Sequence, residues 1–219
     1  MTRTALVTGA RRGIGAAIAD ALRDLGMAVA TPARDELELA DSRAVEEFAR
    51  SLDVDVLVNN AAENVPARIE DMPVDDWERI VRIALTAPFI LTKGVMPGMR
   101  TRGWGRIVNI GSAFSVVSRE GRAAYSSAKS GLLGLTRTAA IEGAPDGVLV
   151  NAVAPGYVRT ALTEQNNPPE RIAQICDTIP MGRLAEPEEI AGLVAFLAGE
   201  SNTYITGQLI SIDGGFLCQ

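Results

Sequence analysis

Short apolar runs alternate along this chain with longer stretches of helical period. The apolar runs predict strands at residues 4–8, 27–31, 36–40, 55–59, 106–112, 148–156 and 208–213. The periodic stretches predict helices at residues 13–26, 41–52, 74–99, 123–143 and 186–199, with Pro88 at or near a kink in the third. Strand, helix and strand repeated at this spacing predict an α/β fold, a doubly wound parallel sheet of about seven strands with helices on both faces.

The length indicates a single domain. The chain has 219 residues, which is enough for one sizeable core and short for two ordinary domains. One domain is therefore expected over residues 1–219. The longest irregular stretch, residues 157–180, follows the end of a predicted strand, and a substrate lid is favoured there over a plain surface insertion.

Composition and charge exclude several classes of function. Apolar residues make up 47% of the chain and charged residues 22%, as in ordinary globular proteins, and the net charge is −6. A negative chain is a poor binder of nucleic acid or of an anionic membrane surface. No leader and no apolar run of membrane-spanning length stands out, so a cytoplasmic protein is expected.

The chain contains no histidine and only two cysteines, Cys176 and Cys218, which lie far apart. No metal site is therefore expected, and proton chemistry must rely on Tyr, Lys, Asp, Glu or Ser.

A glycine-rich segment, TGARRGIG at residues 8–15, joins the first predicted strand to the first helix. Gly9, Gly13 and Gly15 permit a tight turn and close approach of a ligand, and the helix start offers free N–H groups to a phosphate. The spacing differs from the commonest dinucleotide fingerprint, G-x-G-x-x-G, so a glycine turn without a ligand is the alternative.

Tyr125 and Lys129 are four residues apart in AAYSSAKSG, and on a helix they face the same way. A free tyrosine has a pKa near 10, too high for proton transfer at neutral pH, and a nearby cation lowers it. Lys129 can supply this charge and make Tyr125 a general acid or base. Ser112 ends a predicted strand 13 residues earlier, where side chains converge in such sheets.

Six motifs occur together in this order: TGARRGIG (8–15), NNAA (59–62), GRIVNIGS (105–112), YSSAK (125–129), NAVAPGYVRT (151–160) and ITGQLISIDGG (205–215). Over nearly the whole chain they resemble the single-domain short-chain dehydrogenase/reductase family. The resemblance implies a Rossmann-like fold and hydride transfer between a nicotinamide cofactor and a ketone or secondary alcohol. It assigns carbonyl binding to Ser112, proton transfer to Tyr125, and the nicotinamide ribose to Lys129.

The resemblance also implies two sets of contacts. The cofactor-binding residues are expected to be Gly9, Arg11, Arg12, Gly13, Ile14, Gly15, Arg34, Glu38, Leu39, Asn60, Ala61, Ala62, Tyr125, Lys129, Pro155, Gly156, Val158 and Thr160. The substrate-binding residues are expected to be Asn64, Ala113, Phe114, Ser118 and Tyr157. Asn59 resembles an asparagine that steadies the sheet, and Asp213 is expected to act in a turn.

Three positions depart from the family pattern. Ala84 stands where the family has an asparagine whose main-chain carbonyl holds a water on the lysine, so a weakened or reshaped proton relay is expected. Ala62 replaces a usual glycine, with a small expected effect. The segment from the second strand to the next helix lacks a usual helix, and Glu38 stands where the family has an aspartate near the adenine.

The preferred cofactor is expected to be NADP, with NAD less favoured. The position that is acidic in NAD-specific relatives falls near Ala33, followed by Arg34. Arg12 and Arg34 suit the extra phosphate of NADP, because a guanidinium binds phosphate through a planar fork. The alternative is that both are ordinary surface arginines.

The leading prediction is a carbonyl reductase or alcohol dehydrogenase acting on a small molecule. The alternatives are a 3-oxoacyl-carrier reductase and a cofactor-binding protein with little or no turnover; an enoyl reductase is disfavoured because those relatives space the tyrosine and lysine more widely. Arg119 and Arg122 lie near the expected mouth of the substrate pocket. They are suited to attract a carboxylate or phosphate, and the alternative is that they are solvated side chains. A homo-oligomer, dimer or tetramer, is expected by the same resemblance.

Overall fold

The computed structural model describes residues 2–218, apart from the side chains of Leu162 and Asn166. Its strands are β1 (Thr4–Val7), β2 (Ala28–Ala30), β3 (Val56–Asn59), β4 (Gly105–Ile110), β5 (Val148–Pro155) and β6 (Leu209–Ile212). All pair in parallel, in the order β2-β1-β3-β4-β5-β6. Short apolar segments of this kind are typical of strands buried on both faces.

Helices cover both faces of this sheet. They are α1 (Gly13–Asp24), α2 (Ser42–Arg50), α3 (Val74–Val81), α4 (Ala87–Arg102), α5 (Ala123–Gly143), α6 (Ala161–Asn166), α7 (Pro169–Asp177) and α8 (Pro187–Ala198). α1 and α8 pack on one face, and α2, α4 and α5 pack on the other. The expected doubly wound, Rossmann-like sheet is confirmed.

Successive strand residues divide between two cores, as the two-residue period of a strand requires. In β1, Ala5 and Val7 face α1 and α8, where Ile18 and Leu22 are fully buried. Leu6, between them, faces the other core, which α2, α4 and α5 complete. Apolar side chains therefore cover both faces of the sheet.

The third strand expected at residues 36–40 is wrong: these residues form turns, and the sheet has six strands instead of about seven. Local side-chain bonds favour the turns, because the Ala33 N–H donates to Glu36 and the Ala40 N–H donates to Glu38. Leu37 is buried in the core and gives the segment a strand-like alternation. The chain passes from β2 to α2 without a helix, as expected.

The long helix expected at residues 74–99 is instead two α-helices, α3 and α4, joined by a π-helical turn, Arg82–Thr86. The turn directly precedes Pro88, which has no N–H to offer the carbonyl four residues earlier, that of Ala84. The whole segment, Val74–Arg102, is long and apolar enough to span a membrane by length and composition, but 56% of its most apolar part is buried inside the protein. The apolar side chains of this segment are therefore explained by packing in the core of the protein.

The stretch at residues 157–180 is less irregular than expected, because it contains α6 and α7. α6 begins at Thr160, whose hydroxyl accepts the Thr163 N–H. Ile175, Ile179 and Leu184 form a small core of their own beneath α7. The segment therefore has a small apolar core at its C-terminal end.

The start of α2 gives a stability prediction. The Asp41 carboxylate caps the helix by accepting the N–H groups of Arg43 and Ala44 at 2.9 and 3.2 Å. Replacing Asp41 with Ala should lower the free energy of unfolding by about 1 kcal/mol, because two backbone donors lose their partner. Denaturant titration measures this loss. Asp20→Ala removes an equally exposed carboxylate whose partner is only Arg23, and it should change stability by less than about 0.5 kcal/mol. Equal losses in both variants would contradict the capping role.

Candidate active site

Polar residues gather at the carboxyl ends of the strands, where doubly wound sheets bind their ligands. The chain reverses its direction across the sheet between β1 and β3. The glycine loop leaves β1 at this crevice, residues 59–62 leave β3 beside it, Ser112 follows β4, and residues 156–160 follow β5. The topology thus brings the main sequence motifs together.

The glycine loop, here termed the phosphate cradle, has the backbone shape that binding a phosphate requires. Gly9 and Gly13 have φ angles of 65° and 58°, which favour glycine. A Cβ on Gly15 would lie 2.5 Å from both the Gly9 carbonyl oxygen and the Asn60 amide nitrogen. No side chain caps the first turn of α1, so its N–H groups point free into the crevice. Free N–H groups at a glycine-lined helix start fit the pyrophosphate of a dinucleotide.

Asn60 and Thr8 fasten this loop to the end of β3. The Asn60 side-chain amide donates to the carbonyls of Thr8 and Gly9, at 2.9 and 3.1 Å. The Thr8 hydroxyl accepts the N–H groups of Asn60 and Ala61. Asn60, expected to contact the cofactor, therefore also holds the cradle in shape. Thr8 was missed from the sequence, because its partners are about fifty residues away.

The loop after β5 closes the other side of the crevice. A Cβ on Gly156 would lie 2.7 Å from the Asp213 Cα, and one on Gly13 would lie 3.2 Å from a methyl carbon of Thr160. Val158 is buried and pairs with Ala185. The loop expected at the nicotinamide therefore lies directly against the phosphate cradle. Asp213 accepts two backbone N–H groups, as its expected turn role requires.

Ser112, Tyr125 and Lys129 come together as the motif spacing predicts. The Ser112 side chain lies close enough to Tyr125 to influence its pKa, and the Ser112 hydroxyl accepts the Phe114 N–H at 3.1 Å. Lys129 is 2% exposed, and its Nζ lies 5.8 Å from the centre of the Tyr125 ring. That amine donates to the carbonyl of Ile110, the last residue of β4.

Burial and neighbouring groups act in opposite directions on the acid–base pair. Burial raises the pKa of Tyr125, while the hydrogen bond from Ser112 and the charge of Arg122 oppose that rise. Burial lowers the pKa of Lys129 to about 8, so the amine is still mainly charged at pH 7. Arg122 thus joins Ser112 in favouring the phenolate, a role that sequence reasoning did not assign to it.

A buried chain of polar side chains sets the position of α5. The Asn59 amide donates to Asn109 at 2.8 Å, and Asn109 donates to the Thr136 hydroxyl at 2.9 Å. All three are at most 3% exposed. The steadying role expected for Asn59 therefore extends across two strands into the helix that carries Tyr125. Asn109 and Thr136 were missed, since neither belongs to a recognisable spacing.

The expected substrate residues differ in what they offer. Ala113 is buried at 3% exposure and presents little surface. Phe114 and Tyr157 meet edge to face, with ring centres 6.4 Å apart. Ser118 hydrogen-bonds Ser126 at 2.8 Å. Asn64 has a buried side-chain oxygen with no hydrogen-bond partner among the described residues, which suits a ligand or water contact.

The adenosine end of the crevice is open and charged. Arg34 is exposed and donates a hydrogen bond to Glu38 at 2.6 Å, so the two side chains are paired with each other. Arg11 and Arg12 are exposed, whereas Ile14 and Leu39 are half-buried. No non-glycine residue among the described ones has a positive φ, so Ala62 adopts an ordinary backbone and its extra methyl group causes no strain.

Within residues 2–218, no three His, Cys, Asp or Glu side chains are placed to hold a metal ion. Hydride transfer between a nicotinamide and a carbonyl needs a proton donor beside the cofactor, and here a phenol lies next to a dinucleotide cradle. The fold and the site therefore define an NAD(P)-dependent oxidoreductase.

Comparisons with known proteins refine this class. A family model described as enoyl-(acyl carrier protein) reductase matches residues 38–217. An acetoacetyl-CoA reductase of Shinella zoogloeoides is 41% identical over 239 residues, which cover 98% of each chain. A 3-oxoacyl-[acyl-carrier-protein] reductase of Vibrio cholerae is 37% identical, covering 97% of this chain and 96% of its own.

One solved structure bears on the cofactor. A protein of Beutenbergia cavernae, assigned as an NAD(P)-dependent gluconate 5-dehydrogenase and carrying NADP at low occupancy, superposes with a TM-score of 0.86. It is 37% identical and matches 99% of this chain and 97% of its own. The chain belongs to the short-chain dehydrogenase/reductase family.

The glycine loop gives a test of the cradle. Gly15→Ala should raise the dissociation constant for NADP by roughly tenfold or more and destabilise the fold by about 1–3 kcal/mol, because the new methyl group meets backbone at 2.5 Å. Fluorescence titration with NADPH and denaturant titration measure the two effects. Gly192→Ala in α8, where a Cβ meets nothing within 4 Å, is the control and should leave cofactor affinity unchanged. Normal affinity in Gly15→Ala would contradict the cradle.

Proposed function

We propose that this protein transfers a hydride between NADP(H) and a small ketone or secondary alcohol, with Tyr125 as general acid and base. The observation that carries the proposal is the Tyr125 phenol, whose pKa is influenced by the neighbouring Ser112 side chain, beside the buried amine of Lys129, 5.8 Å from its ring centre. This cluster lies at the strand ends, next to an uncapped helix start suited to a dinucleotide phosphate.

Each residue of the cluster has a distinct task in this proposal. A bound nicotinamide would supply the hydride. The Ser112 hydroxyl orients the substrate oxygen, and the Tyr125 hydroxyl gives it a proton during reduction or removes one during oxidation. Lys129 donates one hydrogen bond to Ile110 and has two further N–H groups for a ribose hydroxyl or water. The charge that lowers the pKa of Tyr125 in this structure is that of Arg122, and not that of Lys129 as expected from the sequence.

The proton supply to Lys129 passes, in our proposal, by the main chain of residue 84. Ala84 lacks the family's asparagine side chain, but it lies in the π-helical turn Arg82–Thr86 and is itself buried. Its carbonyl cannot be bonded by residue 88, because Pro88 has no N–H. A relay water bonded to the Ala84 carbonyl needs no side chain at that position, so we infer that the relay is reshaped and retained.

The preference for NADP over NAD is supported by the charges at the adenosine end. Arg34 and Arg12 are both exposed, and no acidic residue precedes Arg34 at position 33. The Arg34 guanidinium is bonded to Glu38, so a 2′-phosphate would compete with that carboxylate. The NADP bound by the Beutenbergia relative is consistent with this preference.

We propose further that residues 1–219 form a single domain in which residues 157–180 act as a substrate lid. A cavity of about 460 Å³ lies between this segment and the C-terminal turn, lined by Val117, Asp177, Thr178, Phe216 and Leu217. Ser112, Tyr125 and Lys129 are not in its lining, so the cavity supports a space beneath the segment and not the position of the reacting group.

We also propose a cytoplasmic homo-oligomer, dimer or tetramer. Large apolar side chains are exposed on the helices that family members use for assembly: Phe89 on α4 is 50% exposed and Ile141 on α5 is 76% exposed.

A second candidate, a reductase of carrier-bound 3-oxoacyl chains, is favoured by a specific observation: two of the relatives above act on thioesters by name. The net charge of −6 on this protein disfavours binding of an acidic carrier protein, because like charges repel. A cofactor-binding protein without turnover is not favoured, since these relatives are oxidoreductases.

Removing the phenol tests the catalytic assignment. Tyr125→Phe should bind NADPH within about threefold of the original protein and lose about 10²–10⁴-fold in kcat, because the proton donor is absent. Steady-state reduction of ketones and NADPH fluorescence measure these quantities. Tyr204→Phe removes an equally large phenol that is 95% exposed, and it should leave kcat unchanged. Turnover of Tyr125→Phe near that of the original protein would refute the assignment.

Cofactor preference is tested at the adenosine end. Arg34→Gln should lower kcat/KM about tenfold with NADPH and change it less than about threefold with NADH, because only NADPH has the extra phosphate. Arg43→Gln on the exposed side of α2 controls for the loss of one positive charge. Equal efficiency of the unaltered protein with both cofactors would overturn the NADP preference.

A further inference from the structure

Two arginines stand at the rim of the substrate side of the crevice. Arg119 donates to the Tyr157 hydroxyl at 3.0 Å, and its guanidinium carbon lies 5.5 Å from the centre of the Phe114 ring. The Arg122 guanidinium carbon lies 5.6 Å from the centre of the same ring. Tyr157 also packs edge to face on Phe216, so the two guanidinium groups border a row of three aromatic rings.

Neither guanidinium has an acidic partner. Within residues 2–218, no carboxylate oxygen lies within 4.0 Å of Arg119 or Arg122, while ten other arginines form such ion pairs. Glu120, between the two in sequence, points to Arg68 on the neighbouring segment. Seven further arginines of the described chain also lack such a partner, so what distinguishes this pair is its place beside the aromatic rings and the reacting group.

This pair lies beside the proposed reacting group. Arg122 directly precedes α5, three residues before Tyr125, and it is half-buried. Burial lowers its pKa from the usual value, and the charge of Arg119 does so as well. Holding a cation in that position has an energetic cost, which an anionic ligand would offset.

We propose that Arg119 and Arg122 bind an oxyanion of the substrate, so that the preferred ketones carry a carboxylate or phosphate. This inference rests on the proposed ketone reduction. A planar guanidinium binds such oxyanions through two parallel hydrogen bonds, which neutral ketones cannot accept. The Phe114 ring lies near both guanidinium carbons, and Arg119 uses one N–H on the Tyr157 hydroxyl. The anion is either a carboxylate on the substrate itself or a phosphate of a carrier such as coenzyme A.

The test compares charged substrates with neutral analogues that carry the same 3-keto group. Acetoacetate and methyl acetoacetate form one pair, and acetoacetyl-CoA and the acetoacetyl N-acetylcysteamine thioester form the other. Arg122→Gln should lower kcat/KM for the charged member of the relevant pair ten- to hundredfold more than for its neutral partner. Arg119→Gln should act in the same direction, and Arg122→Lys should restore part of the difference. A larger loss of kcat/KM for acetoacetate than for its ester identifies a carboxylate as the ligand of the arginines. A larger loss for acetoacetyl-CoA than for the N-acetylcysteamine thioester identifies a carrier phosphate.

Because Arg122 also acts on the Tyr125 phenol, the ratio within a pair is the decisive quantity, rather than the absolute rate. Arg23→Gln on α1, which removes one charge far from the crevice, should leave both ratios unchanged. Ratios unchanged in both Arg119→Gln and Arg122→Gln would overturn the proposal and make these arginines structural.

A binding measurement separates this proposal from the proposed function. Calorimetric titration of the NADP complex with butanoate and with coenzyme A requires no turnover. The unaltered protein should bind at least one of them, and the two glutamine variants should bind it at least tenfold more weakly. If no ketone is reduced but this difference is found, the proposed reaction fails and the anion site stands. If ketones are reduced and the binding of neither probe depends on the arginines, only the proposal of an anion site is refuted.

Discussion

One buried chain of hydrogen bonds holds the reacting helix to the sheet. It runs from Asn59 through Asn109 to Thr136, and Thr136 in turn donates to the Leu132 carbonyl within α5. An unpaired amide at this depth would cost about 1–3 kcal/mol, so the helix cannot rotate freely about its own axis. Lys129 lies two turns before Thr136 on the same helix. The direction of its side chain therefore depends on contacts made deep in the sheet.

The same strand end also fixes the cofactor side. Asn60, the neighbour of Asn59, bonds the Thr8 and Gly9 carbonyls at the start of the glycine loop. Two consecutive asparagines thus link the phosphate cradle on one side to the acid–base helix on the other. Because both links begin at one rigid strand end, the distance between the cradle and the phenol is set by the sheet, without any help from flexible loops.

The sequence predicts that Ser112, Tyr125 and Lys129 lie at one end of the sheet, because Tyr125 and Lys129 follow the helix period and Ser112 follows an apolar strand. It predicts ELELA at residues 36–40 wrongly, because alternating leucines suit a strand and a turn equally, and glutamate side chains that bond the backbone decide between them. The hydrogen bonds of Asn59 and Thr8 could not be predicted from the sequence, for a different reason. Their partners are about fifty residues away, and only the assembled sheet brings them together.

The loss of a strand at residues 36–40 leaves β2 at the border of the sheet. Alignments with the relatives extend over more positions than this chain has residues, 239 against 219, so the relatives carry segments that are missing here. An unpaired border strand can recruit another chain and start aggregation. Here the border is only three residues long, Ala28–Ala30, and Pro32 follows it with no N–H to donate. The shortened protein thus ends its sheet with a strand too brief to serve as a template for further strands.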